Sequence, residues 1–170
     1  MLAVGVDPGA WVAASASAPI ADYVEAFRTE NADARRFDEF MFGGSPEEVP
    51  ERYARANPKT YAGGITAAIQ IIAGAHDDGC TVTQVRSFVD SFMAGRRAGD
   101  LEYHECGMGH SPNSEGVRRT HEEMVINFLE SRLQSASRSI DKFGLVVHDR
   151  SELEPTMQAI SAATTLPPTK

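Results

Sequence analysis

Three apolar stretches along the chain have the character of β-strands. Residues 11–18 (WVAASASA) are small, apolar and compatible with a strand, and Pro19 ends the stretch. Residues 65–73 (ITAAIQIIA) are almost continuously apolar, as in a parallel strand covered on both faces. Residues 101–106 (LEYHEC) alternate between apolar and polar, which is typical of a strand near the edge of a sheet. The pattern therefore predicts three strands.

Helical periodicity follows the second and third strands. After the second strand, apolar residues recur at the i, i+3, i+4 spacing of an amphipathic helix: Val82, Val85, Phe88, Val89, Phe92 and Met93. After the third strand, a last amphipathic helix carries Val117, Met124, Val125, Phe128, Leu129 and Leu133. Residues 21–27 are expected to form a short helix, and residues 29–60 are polar with several turn signals. Within them, Ser45-Pro46-Glu47-Glu48 predicts a helix start with a capping box.

Strands that alternate with helices predict an α/β fold, in which a parallel sheet with right-handed crossovers is flanked by helices. In such sheets the chemistry lies at the carboxyl ends of the strands. The two loops at those ends, GAHDDGCT and GMGHSPN, hold the dense groups of Asp, His and Cys in this chain. Asp77 lies in the first loop and His110 in the second. Neighbouring parallel strands are about 4.8 Å apart, so the two side chains can come within hydrogen-bonding distance.

A carboxylate that fixes the tautomer of a histidine makes up two thirds of a Ser-His-Asp hydrolase triad. The order of Asp77 and then His110 agrees with the chain order Ser…Asp…His of α/β-hydrolases. The alternative interpretation is a polar rim of loop residues, because Asp, His and Gly are common in loops. Spacing alone leaves both interpretations open.

Composition excludes several classes of protein. With 42% hydrophobic and 24% charged residues among 170, the chain is not disordered, collagen-like or a coiled coil. No apolar run approaches the roughly 20 residues that cross a bilayer, so no membrane partner is expected. The formal net charge of -8 makes a nucleic acid a poor candidate partner. Cys80 and Cys106 are too few for a disulfide framework and no signal peptide is visible, so a cytoplasmic protein is expected.

Several motifs, in this order, resemble the end of the catalytic domain of the prolyl oligopeptidase family of serine hydrolases. An apolar strand leads into G-x-x-D at residues 74–77, and the next helix opens with Val-x-Gln at residues 82–84. A Gly109-His110 loop and a helix ending in Phe-Leu follow. Upstream, SPEEVPERYARANPKTYAGG resembles the family's Pro-Glu…Tyr…Ser-Pro…Tyr stretch, and WVAASASAPIADYVEAF resembles the strand and turn after the nucleophile helix. The resemblance covers residues 1 to about 135.

The resemblance implies the C-terminal half of an α/β-hydrolase fold over residues 1–135. It leaves residues 136–170 as a C-terminal extension of unknown role, whose end (TTLPPTK) is expected to be disordered. It implies a serine-type peptidase or esterase that acts on a peptide or small ester substrate without a cofactor. Asp77 is then the triad carboxylate and His110 the general base. Asp78 competes for the first role, although the G-x-x-D spacing favours Asp77, and Gly79 stands where the family usually has arginine.

The family's nucleophile motif, G-x-S-x-G-G, does not occur in the 170 residues. Ser15, Ser17 and Ser45 lack the glycine flanks of a strand-to-helix elbow. The opening MLAVGVDPGAW resembles the end of the nucleophile helix and its exit turn, so the serine and the oxyanion-hole donors are expected before Met1 in a larger catalytic domain. The chain alone is then expected to hydrolyse its substrate very weakly or not at all.

A hypothesis from a different class is a non-catalytic or split-enzyme subunit. Three strands leave an open sheet edge, which invites association with a complementing N-terminal half or with a further copy in a homo-oligomer.

Two metal sites are further alternatives. GVDPG near the start also resembles the first strand of RNase H-like nucleases, in which an Asp binds metal, although Asp7-Pro8-Gly9 is a good turn by itself. A zinc site from Cys80, His104, Cys106 and His110 would use the close spacing of H-x-C-x3-H, which matches no common zinc motif well. No metal site is therefore predicted. His121 is predicted to be a solvated residue of the last helix.

Overall fold

The computed structural model describes residues 1–94 and 100–142. The chain divides into two compact units, Met1–Leu133 and Gln134–Lys170, and the fold below is that of the first. Of the second unit the described part is residues 134–142, which are helical. The predicted disordered end, TTLPPTK, lies outside the described residues.

Strands and helices alternate through the first unit. The strands are β1 (Ala13–Ser17), β2 (Ala68–Gly74) and β3 (Leu101–Cys106). The helices are α1 (Leu2–Val6), α2 (Tyr23–Thr29), α3 (Ala32–Phe42), α4 (Pro50–Ala56), α5 (Val82–Met93) and α6 (Glu115–Lys142). Short 3-10 helices span Pro8–Ala10 and Pro58–Gly64. Across the described residues, no helix combines the length and the apolar character that crossing a bilayer requires.

The three strands form one parallel sheet in the order β1-β2-β3. Ser15 lies opposite Gln70 in the β1–β2 pair, and Gln70 lies opposite Glu102 in the β2–β3 pair. The predicted α/β architecture, a parallel sheet flanked by helices, is therefore confirmed. All three carboxyl ends lie at one edge of the sheet, as a candidate site in the following loops requires.

One face of the sheet carries the apolar core. Ile69, Ile71 and Ala73 of β2 alternate onto this face and cluster with Val85, Phe88 and Phe92 of α5. All of these side chains are at most 1% exposed. Burial of large apolar side chains is worth about 1.5–3 kcal/mol each, so this layer is the main stabilising contact of the unit.

The opposite face of the sheet carries a polar network beside the fully buried Ile72. Gln70, which is fully buried, accepts a hydrogen bond from Ser15 Oγ at 2.7 Å. Its Nε2 donates to Glu102 Oε1 at 2.7 Å and to the Met124 carbonyl of α6 at 3.2 Å. The contact with Met124 places α6 across this face, and the network satisfies the buried amide at both ends.

The structure corrects the predicted helix start at Ser45. The capping box forms, because the Ser45 N–H donates to Glu48 Oε2 at 2.9 Å and the Glu48 N–H donates to Ser45 Oγ at 3.3 Å. These residues nevertheless form a turn, and α4 begins at Pro50. Pro50 has no N–H to continue a helix from Pro46, but it suits the first position of a new one.

Helix α3 was not predicted from the polar stretch that contains it. The Asn31 side chain caps it by accepting hydrogen bonds from the N–H groups of Asp33 and Ala34, both at 3.0 Å. Gly43 ends it in the left-handed conformation, with φ 81°. The helix packs over α2 and contributes the buried carboxyl group of Asp38.

Candidate active site

The loops after β2 and β3 are joined by backbone hydrogen bonds. The Ala75 N–H donates to the Cys106 carbonyl at 2.8 Å, and the His76 N–H donates to the Met108 carbonyl at 3.0 Å. The two loops therefore leave the sheet side by side, and the backbone fixes the positions of the side chains that they carry relative to each other.

Gly74, the first residue of the G-x-x-D motif, allows this close approach. A Cβ atom at this position would lie 2.2 Å from the Gly109 carbonyl oxygen and 2.6 Å from that of Met108. Both distances are shorter than atoms tolerate, and both neighbours are backbone. Glycine is thus required here by packing, directly before the loop that carries Asp77.

Asp77 is buried, and its side chain has 0% exposure. Its Oδ1 accepts hydrogen bonds from the N–H groups of Gly79 at 2.9 Å and Cys80 at 2.8 Å, so the loop turns around the carboxyl group. Its Oδ2 lies 3.0 Å from Nδ1 of His110. Three donors thus compensate for the loss of water around a buried carboxylate.

His110 is oriented by Asp77 and open to solvent. Its side chain is 63% exposed, and within the described residues its hydrogen-bonding partner is Asp77. An ionised carboxylate only accepts hydrogen bonds, so the neutral tautomer that suits this contact has its hydrogen on Nδ1 and leaves Nε2 as an acceptor. The arrangement presents a basic nitrogen at the carboxyl edge of the sheet.

The structure separates Asp77 from its predicted competitor. Asp78, the next residue, is exposed, whereas Asp77 contacts His110. Gly79, which stands where the family usually has arginine, contributes its N–H to Asp77. The structure brings Asp77 and His110 together as a hydrogen-bonded pair, and their catalytic role stays a prediction.

In the comparison with protein families, the model of the prolyl oligopeptidase family matches residues 1–136. The chain belongs to this family. The matched residues agree with the resemblance over residues 1 to about 135. The comparison with curated proteins found no match.

Solved peptidase structures share the fold of this family member. An acylaminoacyl peptidase in complex with Z-Gly-Gly-Phe-chloromethyl ketone has 16% sequence identity and a TM-score of 0.65, covering 76% of this chain and 21% of that one. A puromycin-hydrolyzing peptidase from Mycobacterium tuberculosis has 16% identity and a TM-score of 0.59, covering 68% and 17%. Dipeptidyl peptidase 4 from Porphyromonas gingivalis has 19% identity and a TM-score of 0.56, covering 73% and 16%. The chain therefore spans about a fifth of the length of these relatives.

The Val-x-Gln motif of this prolyl oligopeptidase relative has a structural role. Gln84 is fully buried, and its Oε1 accepts hydrogen bonds from the N–H groups of Ala21 at 2.7 Å and Asp22 at 3.0 Å. Its Nε2 donates to the Pro19 carbonyl at 2.7 Å. Gln84 thus ties the start of α5 to the segment that leaves β1, which fixes the carboxyl edge of the sheet on that side.

Cys80, which the sequence offers only as a ligand of the alternative zinc site, lies beside the pair of Asp77 and His110. Its sulfur, a carboxylate oxygen of Asp77 and a ring nitrogen of His110 all lie within 4.8 Å of one another. Burial raises the pKa of the Cys80 thiol to about 11, with further contributions from the charges of Asp77 and Glu30. At neutral pH this side chain is therefore a thiol, which makes it a weak nucleophile.

The alternative zinc site does not form as the sequence suggested. Of Cys80, His104, Cys106 and His110, the structure brings together Cys80 and His110. His104 instead lies on β3, where its Nε2 is 2.8 Å from Glu102 Oε1. Among the described residues, the group that could hold a metal ion has Asp77 as its third member.

The remaining candidates lie elsewhere. His121 is not simply solvated, because its Nε2 lies 2.8 Å from the Oγ of Ser17 at the end of β1. Ser15 donates to Gln70, and Ser45 belongs to the turn before α4. Asp7 stands between α1 and the 3-10 helix Pro8–Ala10, in agreement with its interpretation as a turn residue. Within the described residues, no serine side chain forms a hydrogen bond with His110.

Proposed function

We propose that the chain is part of a serine-type hydrolase for peptide or small ester bonds, in which Asp77 and His110 are two members of the Ser-Asp-His triad. The observation that carries the proposal is the 3.0 Å contact between Asp77 Oδ2 and His110 Nδ1, with the carboxyl group buried and the imidazole exposed. Membership in the prolyl oligopeptidase family supports the reaction class. The names of its solved relatives, such as acylaminoacyl peptidase and puromycin-hydrolyzing peptidase, support amide carbonyls as the target.

In the proposed reaction, each of the two residues has a step in acyl transfer. Nε2 of His110 accepts the proton of a serine hydroxyl while the serine oxygen bonds to the substrate carbonyl carbon. The same nitrogen then gives this proton to the leaving amine or alcohol as the scissile bond breaks. Water releases the acyl group in a second round of the same transfers and regenerates the serine. Asp77 keeps the Nδ1 hydrogen in place and stabilises the imidazolium that forms.

The serine must come from a segment other than these 170 residues. No G-x-S-x-G sequence occurs in the chain, and its own serines are bonded elsewhere or lack the glycine flanks of an elbow. The chain alone is therefore expected to be inactive or nearly so. Loss of a triad member costs on the order of 10⁴ to 10⁶ in turnover.

Complementation tests this proposal directly. The full chain is mixed or co-expressed with a catalytic-domain segment of the family that carries G-x-S-x-G-G, and hydrolysis of an aminoacyl anilide is measured. We expect His110→Ala to lower the recovered rate at least about 10⁴-fold. His76→Ala, which removes an exposed histidine from the adjoining loop, is the control and should keep most of the rate.

Two results would contradict the proposal. One is equal activity of the His110→Ala and unsubstituted chains after complementation. The other is labelling of the isolated chain by a fluorophosphonate at any serine, since that would place an activated nucleophile inside these residues.

An alternative function is that of a non-catalytic interaction subunit. Within the described residues β1 pairs with β2 along one edge, and its other edge has no strand beside it. Trp11 and Val12, just before β1, are 45% and 48% exposed. An open edge with apolar neighbours favours association with a complementing segment or a second copy. Light scattering that finds a compact monomer at high concentration would count against this alternative.

We also propose a cytoplasmic location. Cys80 and Cys106 are both free thiols, which supports a reducing compartment. Fractionation of cells that produce the protein, with activity or antibody detection in the soluble cytoplasmic fraction, tests this location.

A further inference from the structure

Asp77, Cys80 and His110 bring three different metal-binding groups to one point. A carboxylate oxygen, a sulfur and an imidazole nitrogen lie within 4.8 Å of one another at the carboxyl edge of the sheet. We propose that these three side chains form a Zn²⁺ site, and that zinc held there competes with the pairing of Asp77 and His110. The site itself is independent of the proposed hydrolase function. Only the competition rests on that function.

The set of ligands suits zinc. Zn²⁺ is borderline soft and takes thiolate sulfur, imidazole nitrogen and carboxylate oxygen in tetrahedral sites. Three protein ligands leave a fourth position for water or a substrate group, and the 63% exposed ring of His110 leaves the cluster open to solvent. Harder ions such as Mg²⁺ prefer oxygen ligands and are not matched by this set.

One pair of the three groups is already close to the spacing that zinc requires. With zinc bonds to nitrogen and oxygen of about 2.0–2.2 Å, two ligands of a tetrahedral site lie about 3.4 Å apart. Nδ1 of His110 and Oδ2 of Asp77 are already 3.0 Å apart. His110 is exposed and can move outward by the few tenths of an ångström that this pair needs. The sulfur of Cys80, which lies within 4.8 Å of the other two groups, completes the site by moving toward them.

The loop after β2 also holds the carboxylate of Asp77 in its orientation. Oδ1 of Asp77 accepts the N–H groups of Gly79 and Cys80, which leaves Oδ2 directed to the cluster. Such outer contacts hold a ligating carboxylate in orientation and are typical of metal sites. Because the donor from Cys80 is its backbone N–H, replacing the Cys80 side chain leaves this support in place.

Binding changes the protonation of the pair. The thiol of Cys80 releases its proton to solvent, and the imidazole hydrogen moves from Nδ1 to Nε2 as Nδ1 bonds to the metal. Nε2 can then no longer accept a proton from a serine. Zinc bound in this way would switch off the base while leaving the fold unchanged.

A binding experiment on the full chain separates this site from the hydrolase proposal. Zn²⁺ affinity is measured by competition with a chromophoric chelator, and Cd²⁺ is added separately to detect the ultraviolet absorption of a thiolate-to-metal bond. We expect one zinc per chain. Cys80→Ala and His110→Ala should each weaken binding by at least about 10-fold, a loss that even outer contacts of metal sites can cause. Circular dichroism confirms that each variant is folded.

The second free cysteine provides the matched control. Cys106→Ala should keep both the affinity and the cadmium band, since Cys106 lies outside the cluster. The proposal is overturned if the unsubstituted chain binds no zinc, or if Cys80→Ala binds zinc as tightly as the unsubstituted chain. It is equally overturned if the cadmium band disappears in Cys106→Ala and not in Cys80→Ala. None of these readouts uses hydrolysis, so failure of the hydrolase proposal leaves the result interpretable.

Discussion

Two regions of the first unit bury carboxyl groups, and they differ in how many hydrogen-bond donors surround those groups. At the end of β2, the buried Asp77 receives two backbone N–H groups and the imidazole of His110. In the second region, Glu30 at the end of α2 and Asp38 within α3 are each 7% exposed. Within the described residues, Glu30 Oε1 and Asp38 Oδ2 have no hydrogen-bonding partner.

The pKa values of Glu30 and Asp38 show what the missing donors cause. Burial raises the pKa of Asp38, and burial together with the charge of Asp38 raises the pKa of Glu30 against the opposing effect of Arg35. A buried carboxylate without donors is unfavourable, and the raised pKa values express that. Burial alone therefore does not identify a candidate catalytic carboxyl group. Asp77 differs from Glu30 and Asp38 because both of its oxygens accept hydrogen bonds and because one of them lies beside the exposed imidazole of His110.

The largest effect is expected at the first region. Asp77→Asn keeps the size of the side chain, but its one oxygen is held by the N–H groups of Gly79 and Cys80, so an NH2 donor replaces the acceptor that faces His110 Nδ1. The tautomer of His110 is then no longer fixed, and the hydrolysis recovered by complementation should fall about 10⁴-fold. Asp78→Asn, which removes the same charge from the exposed neighbour, should change the rate only a few-fold. Equal losses in the two variants would show that charge at this loop matters and the hydrogen bond does not.

A smaller effect of opposite sign is expected at the second region. Asp38→Asn removes a buried charge that lacks a full set of donors, and it also relieves the repulsion on Glu30. The free energy of unfolding at pH 7 should rise by about 1–3 kcal/mol, as measured by urea titration. Glu39→Gln removes one charge from the exposed face of the same helix and should change it by less than about 0.5 kcal/mol. A destabilised Asp38→Asn chain would contradict the comparison.

Part of this architecture was readable in the sequence. Residues 82–93 carry an uninterrupted apolar periodicity and form α5, and residues 101–106 form β3 as predicted. The pairing of Asp77 with His110 follows from the order of parallel strands. The pairing depends on the backbone topology rather than on detailed side-chain packing. Apolar periodicity specifies the strands and helices of that topology, and Gly74 allows the two loops to approach closely.

The remainder depends on contacts that periodicity does not encode. Helix α3 escaped prediction because its large apolar residues do not form the core: Phe37, Phe40 and Met41 are 62%, 82% and 62% exposed. The sequence marks the ends of this helix only by Asn31 and Gly43. Single Asn and Gly residues are also common in turns, so they do not predict a helix by themselves. Cys80 lies beside Asp77 because the loop turns around that carboxyl group, whose Oδ1 accepts from the Cys80 N–H, and apolar periodicity does not encode this contact.

The buried carboxyl group of Asp22, just before α2, extends the comparison to the pH dependence of stability. Asp22 is 3% exposed and, unlike Asp38, has several donors: Lys59 Nζ and Ser87 Oγ at 2.9 Å on Oδ2, and Asn57 Nδ2 at 2.9 Å on Oδ1. Burial alone would raise its pKa, but these hydrogen bonds and the charge of Lys59 outweigh burial and lower it. A lowered pKa contributes stability above the unfolded value of about 3.9, and this contribution is lost as the pH falls.

The two aspartates should therefore give opposite pH profiles. Asp22→Asn is expected to lower the free energy of unfolding by about 1–2 kcal/mol at pH 7, with a difference that disappears as the pH falls below about 3.9. The raised pKa of Asp38 contributes stability only at low pH, where the group is protonated, and loses it as the pH rises. The gain from Asp38→Asn should thus be largest at pH 7 and shrink as the pH is lowered toward about 4. Urea titrations across this range that give both variants the same sign would refute the assignment.

The smallest expected effect comes from two uncharged side chains, a tyrosine whose hydroxyl has a hydrogen-bonding partner and one whose hydroxyl has none in the part of the chain that the structure describes. Tyr53 is fully buried, and its hydroxyl has no hydrogen-bonding partner within the described residues. Tyr61 donates its hydroxyl to the Arg55 carbonyl at 3.0 Å. Tyr53→Phe removes an unsatisfied polar atom and should raise the free energy of unfolding by up to about 1 kcal/mol, whereas Tyr61→Phe should lower it by about 0.5–1 kcal/mol. Both substitutions delete one oxygen from the same kind of ring. A difference in sign measured by urea titration therefore reports the effect of the partner together with that of burial, because Tyr61 is only half-buried. A loss of stability in Tyr53→Phe would mean that this hydroxyl is satisfied in solution, and the contrast between satisfied and unsatisfied buried groups would then be confined to the carboxyl groups.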